Sequence, residues 1–278
     1  MSSGELPSAR LVQISDPHLL EDPLATHRTV NTSVSLAHVL SRAQTHIRNA
    51  DAVVLTGDIA QDELSATYDR LRESWINEWV GPHTPVWCLP GNHDAPVLMQ
   101  EALSESPFSC LGHHTLGNWE VILLDSRYPG HASGLLGDDE LARLADRLRH
   151  TGAEHLLVVL HHHAIALGHS WLDKVGLLDH HAFNTLLHQD GRTRAVVFGH
   201  IHQAVDRVFS TVRYLGCPST GVQFEPNQTD FRLDTRPPGY RIMSLMPSGK
   251  IETQVVWLRQ TANALTRQFS EQLESSTS

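Results

Sequence analysis

Residues able to bind a metal or move a proton recur in short groups along this chain: Asp16-Pro17-His18, Gly57-Asp58, Gly91-Asn92-His93-Asp94, His161-His162-His163 and Gly199-His200-Ile201-His202. Carboxylate, imidazole and carboxamide donors of this mixture suit borderline ions such as iron, manganese or zinc. No thiolate stands among them to select a softer ion. An imidazole left outside the ligand set is free for proton transfer near neutral pH. Taken singly, each group has an ordinary explanation, because Asp and Asn form turns and cap helices and a His-x-His pair is common on an exposed strand. The information lies in their joint placement.

Each group follows an apolar, β-branched run. RLVQIS precedes Asp16, AVVLTG precedes Asp58, PVWCLP precedes Gly91, HLLVVL precedes His161 and RAVVFG precedes His200. Such runs read as buried strands, so five strands deliver these groups at their C-terminal ends, the edge where ligand sites form in open α/β sheets. Helical spacing fills the intervals. Leu36, Leu40, Ala43 and Ile47 mark one helix, with Asn31 as its cap; Leu64, Tyr68, Leu71 and Trp75 mark a second. Leu141, Leu144, Ala145 and Leu148 mark another, capped by Asp138 or Asp139 and ending before Gly152. EVILLD and RVFSTVRYLG supply further strands, and Pro247-Ser248-Gly249 reads as a hairpin turn late in the chain. The first part is βαβ-like and the second richer in hairpins. An α/β fold with two sheets covered by helices follows.

Length and charge narrow the partners. A chain of 278 residues suits one elaborate domain, expected over 1–258, with a Gln-, Ser-, Glu- and Thr-rich tail at 259–278, helical or disordered. The formal charge of −10 and the lack of a Lys/Arg run argue against a nucleic-acid footprint. MSSGELPSARLVQIS lacks a basic region followed by an apolar core, and no run suffices to span a membrane. Cys88, Cys110 and Cys217 are few, odd in number and dispersed, as expected of a reducing compartment. A soluble cytoplasmic protein is the expectation, with monomer and homodimer both open.

The ordered series Asp16-x-His18, Gly57-Asp58, Gly91-Asn92-His93-Asp94, His161, Gly199-His200-x-His202 resembles the calcineurin-like metallophosphoesterases over about residues 10–203. More narrowly, ISDPHL, TGDIAQD, LPGNHD, LHHHA, SWLD and FGHIHQ, with PSTGVQF and LDTRPPGYR downstream, are similar to the bacterial class III cyclic-AMP phosphodiesterases. The resemblance implies a four-layer α/β/β/α sandwich of two mixed sheets and a dinuclear centre of iron or manganese, with zinc as an alternative. One ion would take Asp16, His18, Asp58 and His202. The other would take Asp58, Asn92, His161 and His200, with Asp58 as the bridge. In His161-His162-His163 the first residue is taken as the ligand, since it directly follows the apolar strand, and His162 would point to the opposite side if strand geometry continued.

Two such ions about 3.5–4 Å apart can share a hydroxide and hold phosphate oxygens for in-line attack. With two aspartates and one hydroxide they leave about one positive charge, enough to draw an anionic diester to an acidic protein. The resemblance thus implies hydrolysis of cyclic AMP, with His18, Asp58, Asn92, His93 and His202 contacting substrate. His93 would bind the phosphate or protonate the leaving oxygen, and Asp94 would orient His93. Trp171 and Phe224 are candidates for a purine wall, and the Gly-rich stretch SRYPGHASGLLGDD for a rim. His27, His38, His46 and the other histidines outside these motifs read as surface or core polar residues. Two other readings stay open: a broader phosphodiesterase or phosphomonoesterase, and a non-catalytic protein-binding platform of the same fold. A serine hydrolase is disfavoured by the lack of a G-x-S-x-G elbow.

Overall fold

In AVVLT, Val53 and Leu55 join one apolar cluster while Ala52 and Val54 join another. Leu156 and Val158 of HLLVV likewise part from Leu157 and Val159. Successive side chains on a strand point to opposite faces, so a continuous apolar run is covered on both. In the computed structural model, which describes residues 8–168 and 171–259, this demand organises the molecule into layers.

The chain runs β1 (Ala9–Ile14), a small hairpin of β2 (Thr26–His27) and β3 (Val30–Asn31), α1 (Thr32–Arg48), β4 (Ala52–Thr56), and α2 (Ser65–Ser74), which continues as a π-helical turn (Trp75–Trp79). It continues through β5 (Val86–Leu89), α3 (Pro96–Ala102), β6 (Phe108–Cys110), β7 (Gly112–Leu116), β8 (Trp119–Leu123), α4 (Gly137–His150), β9 (His155–Val159), a 3-10 turn (Leu172–Lys174) and α5 (His180–Asp190). The last part comprises β10 (Thr193–Phe198), β11 (Val205–Phe209), β12 (Val212–Gly216), the short β13 (Gln223–Phe224) and β14 (Leu233–Asp234), β15 (Gly239–Leu245) and β16 (Ile251–Trp257).

Two six-stranded mixed sheets result, ordered β16-β15-β1-β4-β5-β6 and β11-β12-β10-β9-β8-β7. Their centres are parallel: β1 pairs with β4, β4 with β5, and β9 with β10. Antiparallel β15 and β16 close one sheet, and β7 and β11 edge the other. Leu11, Val54 and Leu89 meet Val121, Leu157 and Val197 between the sheets. Residues of α1, α2 and α3 cover the first sheet's outer face and those of α4 and α5 the second's. The expected four-layer α/β/β/α sandwich is the observed one.

Local signals hold with two exceptions. Asn31 caps α1, its side chain accepting from Val34 N at 2.9 Å, and Gly249 N donates to Met246 O in the β15–β16 hairpin. Leu64, expected on the apolar face of α2, precedes the helix and is exposed. Neither Asp138 nor Asp139 caps α4; both lie inside its first turn, where a negative charge meets the helix dipole. The orphan N–H groups of Leu136 and Gly137 donate instead to Asp179, at the start of α5. The expected tail lies outside the described residues except for Arg259, and so does Ser170 of SWLD. No helix among the described residues is long and apolar enough to cross a membrane.

Candidate metal centre and active site

The five strands β1, β4, β5, β9 and β10 end at one place. Asp16 and His18 follow β1, Asp58 follows β4, Asn92 and His93 follow β5, His161 follows β9, and His200 and His202 follow β10. The two sheets are tied together there, as Gln13 Nε2 of β1 donates to Phe198 O of β10 at 3.0 Å. Asp16, His18, Asp58, His200 and His202 all have positive φ, between 47 and 66°. A non-glycine residue in this region is strained, and several together are held by the surrounding fold at sites where the strain serves geometry. Each abrupt exit turns a side chain away from the strand and toward the shared centre.

Three imidazoles are fixed by their Nδ1 atoms. His161 Nδ1 donates to Thr56 O at 2.8 Å, His202 Nδ1 to Val222 O at 2.8 Å, and His18 Nδ1 to Gln61 Oε1 at 2.8 Å. Their Nε2 atoms converge. His161 Nε2 lies 3.3 Å from Asp58 Oδ2 and 3.2 Å from Asn92 Oδ1. His18 Nε2 lies 3.7 Å from Asp58 Oδ2, and His202 Nε2 lies 3.5 Å from Asp16 Oδ1. Asp58 therefore stands between the two halves. Its Oδ1 accepts from His93 N, and Asp16 accepts from His200 N, both at 2.9 Å. Gly91 allows this closeness, since a Cβ there would lie 2.2 Å from Asp58 Oδ1 and 2.7 Å from His161 Cε1. The glycine expected to serve a tight turn is required by close approach.

Electrostatics follow from burial and the crossed charges. Burial opposes ionisation of Asp58, yet His161, His18 and His93 hold its carboxyl well below the usual carboxylate range. Burial likewise works against a charged His161, but Asp58, Asp16 and the Thr56 carbonyl push it up to about 9. Burial drives His18 down to about 3, and burial with the neighbouring imidazoles holds His200 well below the ordinary histidine value. The centre is thus built around a place for positive charge.

The calcineurin-like phosphoesterase family model matches residues 9–204. This chain belongs to that family. It is 36% identical to the 3′,5′-cyclic adenosine monophosphate phosphodiesterase CpdA of Haemophilus influenzae, over 92% of this chain and 93% of that one. It is 37% identical to the CpdA phosphodiesterase of Escherichia coli strain K12, over 91% and 90% respectively. A dimetal phosphatase from Danio rerio shares the fold, with a TM-score of 0.59 at 14% identity, covering 91% of this chain and all of that one.

The metal that this family implies can be tested against the donors. His18 Nε2 and His202 Nε2 face each other at 3.1 Å. Both Nδ1 protons are spent on oxygens, so two lone pairs confront one another, an arrangement that a cation relieves. His200 Nε2 is buried and has no hydrogen-bond partner among the described residues. Asp16, His18 and His202, and likewise Asp16, Asp58 and His161, place one donor atom each within 4.8 Å of one another. The residues fit a metal site.

In this phosphoesterase all eight expected ligand and acid residues, Asp16, His18, Asp58, Asn92, His93, His161, His200 and His202, are brought together. The expectation that Asp94 orients His93 is corrected. Its buried carboxylate accepts from Ile59 N, Ala60 N and Gly91 N at 2.9–3.0 Å and from the Tyr68 hydroxyl at 2.9 Å. It braces the loops that carry Asp58 and Asn92. Gln61 contacts His93 instead, its Nε2 lying 3.1 Å from His93 Nδ1. An amide nitrogen only donates, so His93 Nδ1 accepts and the ring proton resides on Nε2. Gln61 lies within the TGDIAQD stretch, three residues after Asp58, but its residue type alone does not disclose which side chains it meets.

Two other histidines differ from expectation. His162 does not point away: β9 ends at Val159, the chain bends at His161 and His162, and the His162 ring lies 4.7 Å from that of His200. His27, read as an ordinary polar residue, stacks on His18 at 5.1 Å, and burial with Arg28 lowers it to about 4. It helps line a cavity of about 180 Å³ that also contains His18, Asp58, Asn92, His93, His200 and His202. Trp171 and Phe224 form part of its wall and Ala132 brings the Gly-rich rim to it. A larger cleft of about 710 Å³ along α4 contains none of the candidate ligands.

Proposed function

We propose that this chain is a metal-dependent phosphodiesterase that hydrolyses 3′,5′-cyclic AMP to 5′-AMP, lowering cyclic-AMP signals in the cytoplasm. The observation that carries the reading is the convergence of the His18, His161 and His202 Nε2 atoms on Asp16, Asp58 and Asn92, beside an imidazole, His93, whose own Nε2 bears a proton. Similarity to relatives named cyclic-AMP phosphodiesterases over about nine-tenths of the chain supports the substrate.

Asp16, His18, Asp58 and His202 would hold one ion and Asp58, Asn92, His161 and His200 a second, with iron or manganese the best match and zinc the alternative. Bound there, the ions would supply Lewis-acid charge for the phosphate oxygens and would activate water for attack. The chain's own residues supply the rest. As water's oxygen adds to phosphorus and the P–O3′ bond breaks, His93, having taken a second proton from solvent, gives its Nε2 proton to the departing O3′ oxygen and is left as the neutral ring, with Gln61 holding it in place. Buried Asp94 keeps the Asn92–His93 loop in register. The small cavity with its Trp171 and Phe224 wall favours a compact ligand with a planar group.

The test is hydrolysis of cyclic AMP, cyclic GMP and bis(p-nitrophenyl) phosphate by purified protein, with iron or manganese and with chelator. Cyclic AMP is expected to be cleaved only with metal. Cleavage of the general diester alone would favour the broader phosphodiesterase, and no cleavage with any metal would favour the binding platform.

A further inference from the structure

At the mouth of the cavity the β2–β3 hairpin presents Arg28. Thr26 pairs with Asn31 and His27 with Val30, which leaves Arg28 and Thr29 as a two-residue loop. Both have positive φ, 47 and 71°, the mirror-type turn that such hairpins favour and that Asn and Gly ordinarily occupy. Arginine and threonine there cost strain, which persists where a side chain has work to do. The hairpin is held at both ends. Asn31 caps α1 and its amide donates to Pro23 O, while His27 stacks on His18.

The Arg28 guanidinium makes no hydrogen bond or ion pair among the described residues, in a chain with 31 acidic side chains. It lies over the ring of Phe231 at 4.5 Å. Phe231 is 39% exposed, unusual for a large apolar side chain lining a cavity. Trp171 meets Phe231 edge-on at 5.4 Å, and its Nε1–H is buried without a partner among the described residues. From the metal ligand His202, stacked Phe224 at 4.0 Å and then Phe231 at 5.2 Å lead outward to this corner. The floor holds the groups that take the phosphate, so a nucleotide seated there presents its base to Arg28 and Phe231.

We infer that Arg28 and Phe231 form the clamp for the nucleobase, an inference that rests on the cyclic-nucleotide reading above. The planar guanidinium offers a stacking surface, and its five donors match the acceptors N7 of adenine and N7 and O6 of guanine. The phenyl ring backs the guanidinium at 4.5 Å and adds its exposed apolar surface to the same side of the cavity. Arg28 is thus a specificity-determining residue, separate from the groups that handle the phosphate.

The experiment uses full-length, metal-loaded protein and the variants Arg28→Ala, Arg28→Lys and Phe231→Ala, with cyclic AMP and an abasic ribose 3′,5′-cyclic phosphate as substrates. Calorimetric binding of 5′-AMP and ribose 5-phosphate is measured in parallel. Both alanine variants are expected to raise KM for cyclic AMP and weaken 5′-AMP binding about tenfold, within the worth of one stacking contact to a base. Their kcat and their KM for the abasic substrate should change far less, and lysine should restore little. Equal losses on both substrates, restored by lysine, would assign Arg28 to phosphate charge and overturn the clamp; so would unchanged KM and binding in every variant. If the wild type itself cleaves the abasic diester and leaves cyclic AMP intact, the substrate proposal fails, and the 5′-AMP comparison alone then decides the clamp.

Discussion

His18 and His202 face each other through their Nε2 atoms across 3.1 Å, while Gln61 Oε1 and the Val222 carbonyl take their Nδ1 protons. Two acceptor lone pairs at that separation repel in a buried site, and the fold pays for holding them there through its packing elsewhere. A cation bound between such donors turns the conflict into coordination, so metal and fold stabilise one another.

Metal removal should therefore expose a pH dependence that the loaded protein lacks. In the metal-free chain His161 is raised from 6.5 to about 9 by Asp58 and Asp16 against burial. A raised histidine contributes stability that is fully present below the unfolded value and is lost as pH rises through the folded one. Between pH 6.5 and 9 the metal-free protein should lose up to roughly 3 kcal/mol. Metal on Nε2 displaces that proton, so the loaded protein should show little of this slope. Urea unfolding at a series of pH values, with and without chelator, checks it; equal slopes in both would contradict the assigned role of His161.

Gln61 links a proposed metal ligand to the proposed proton donor, accepting from His18 and donating to His93. Replacing it with leucine frees both rings, and loss of such a supporting partner typically costs 10–100-fold in metal affinity or activity. Gln61→Glu is the sharper variant. A carboxylate beside His93 stabilises its imidazolium, so the basic limb of the kcat–pH profile should move upward. An unmoved limb would mean that Gln61 does not govern the His93 proton.

Why the candidate ligands were legible and the contacts of Gln61 were not has a physical reason. Asp16, Asp58, Asn92, His161 and His200 each follow an apolar run, and a strand has one C-terminal end; chain order thus carried their spatial meeting. The helices of the outer layers showed in periodicity, and Asn31 showed as a cap. Gln61, His27 and the true partners of Asp94 depend on contacts between loops, and residue type in a loop does not disclose direction. The direction of His162 departs from expectation for the same reason: strand alternation ends with the strand, at Val159.

Asp94→Asn separates bracing from catalysis. Burial and the charge of Asp58 raise Asp94 to about 6 despite its backbone donors. An asparagine keeps one acceptor oxygen and turns an NH2 group toward backbone N–H donors, leaving at least one buried donor unsatisfied, at a cost of about 1–3 kcal/mol each. Reduced stability and weaker metal retention are expected, with near-normal turnover per fully loaded centre and an unchanged pH profile. Normal stability with collapsed turnover would restore the view that Asp94 orients His93.

His93 tests whether ligand and proton donor are separate. Its neighbour Asn92 faces His161, whereas the His93 backbone N–H donates to Asp58 and its ring is held by Gln61. His93→Ala removes the ring and keeps the peptide N–H, so the hydrogen bond to Asp58 survives and metal content should be retained. Turnover should fall by about 10²–10⁴, the worth of a positioned acid. The deficit should be smaller for a diester whose leaving group needs no proton, such as bis(p-nitrophenyl) phosphate. Metal analysis on the same samples decides the matter: loss of an ion with the ring would make His93 a ligand, and an equal deficit on both substrates would remove it from the proton transfer.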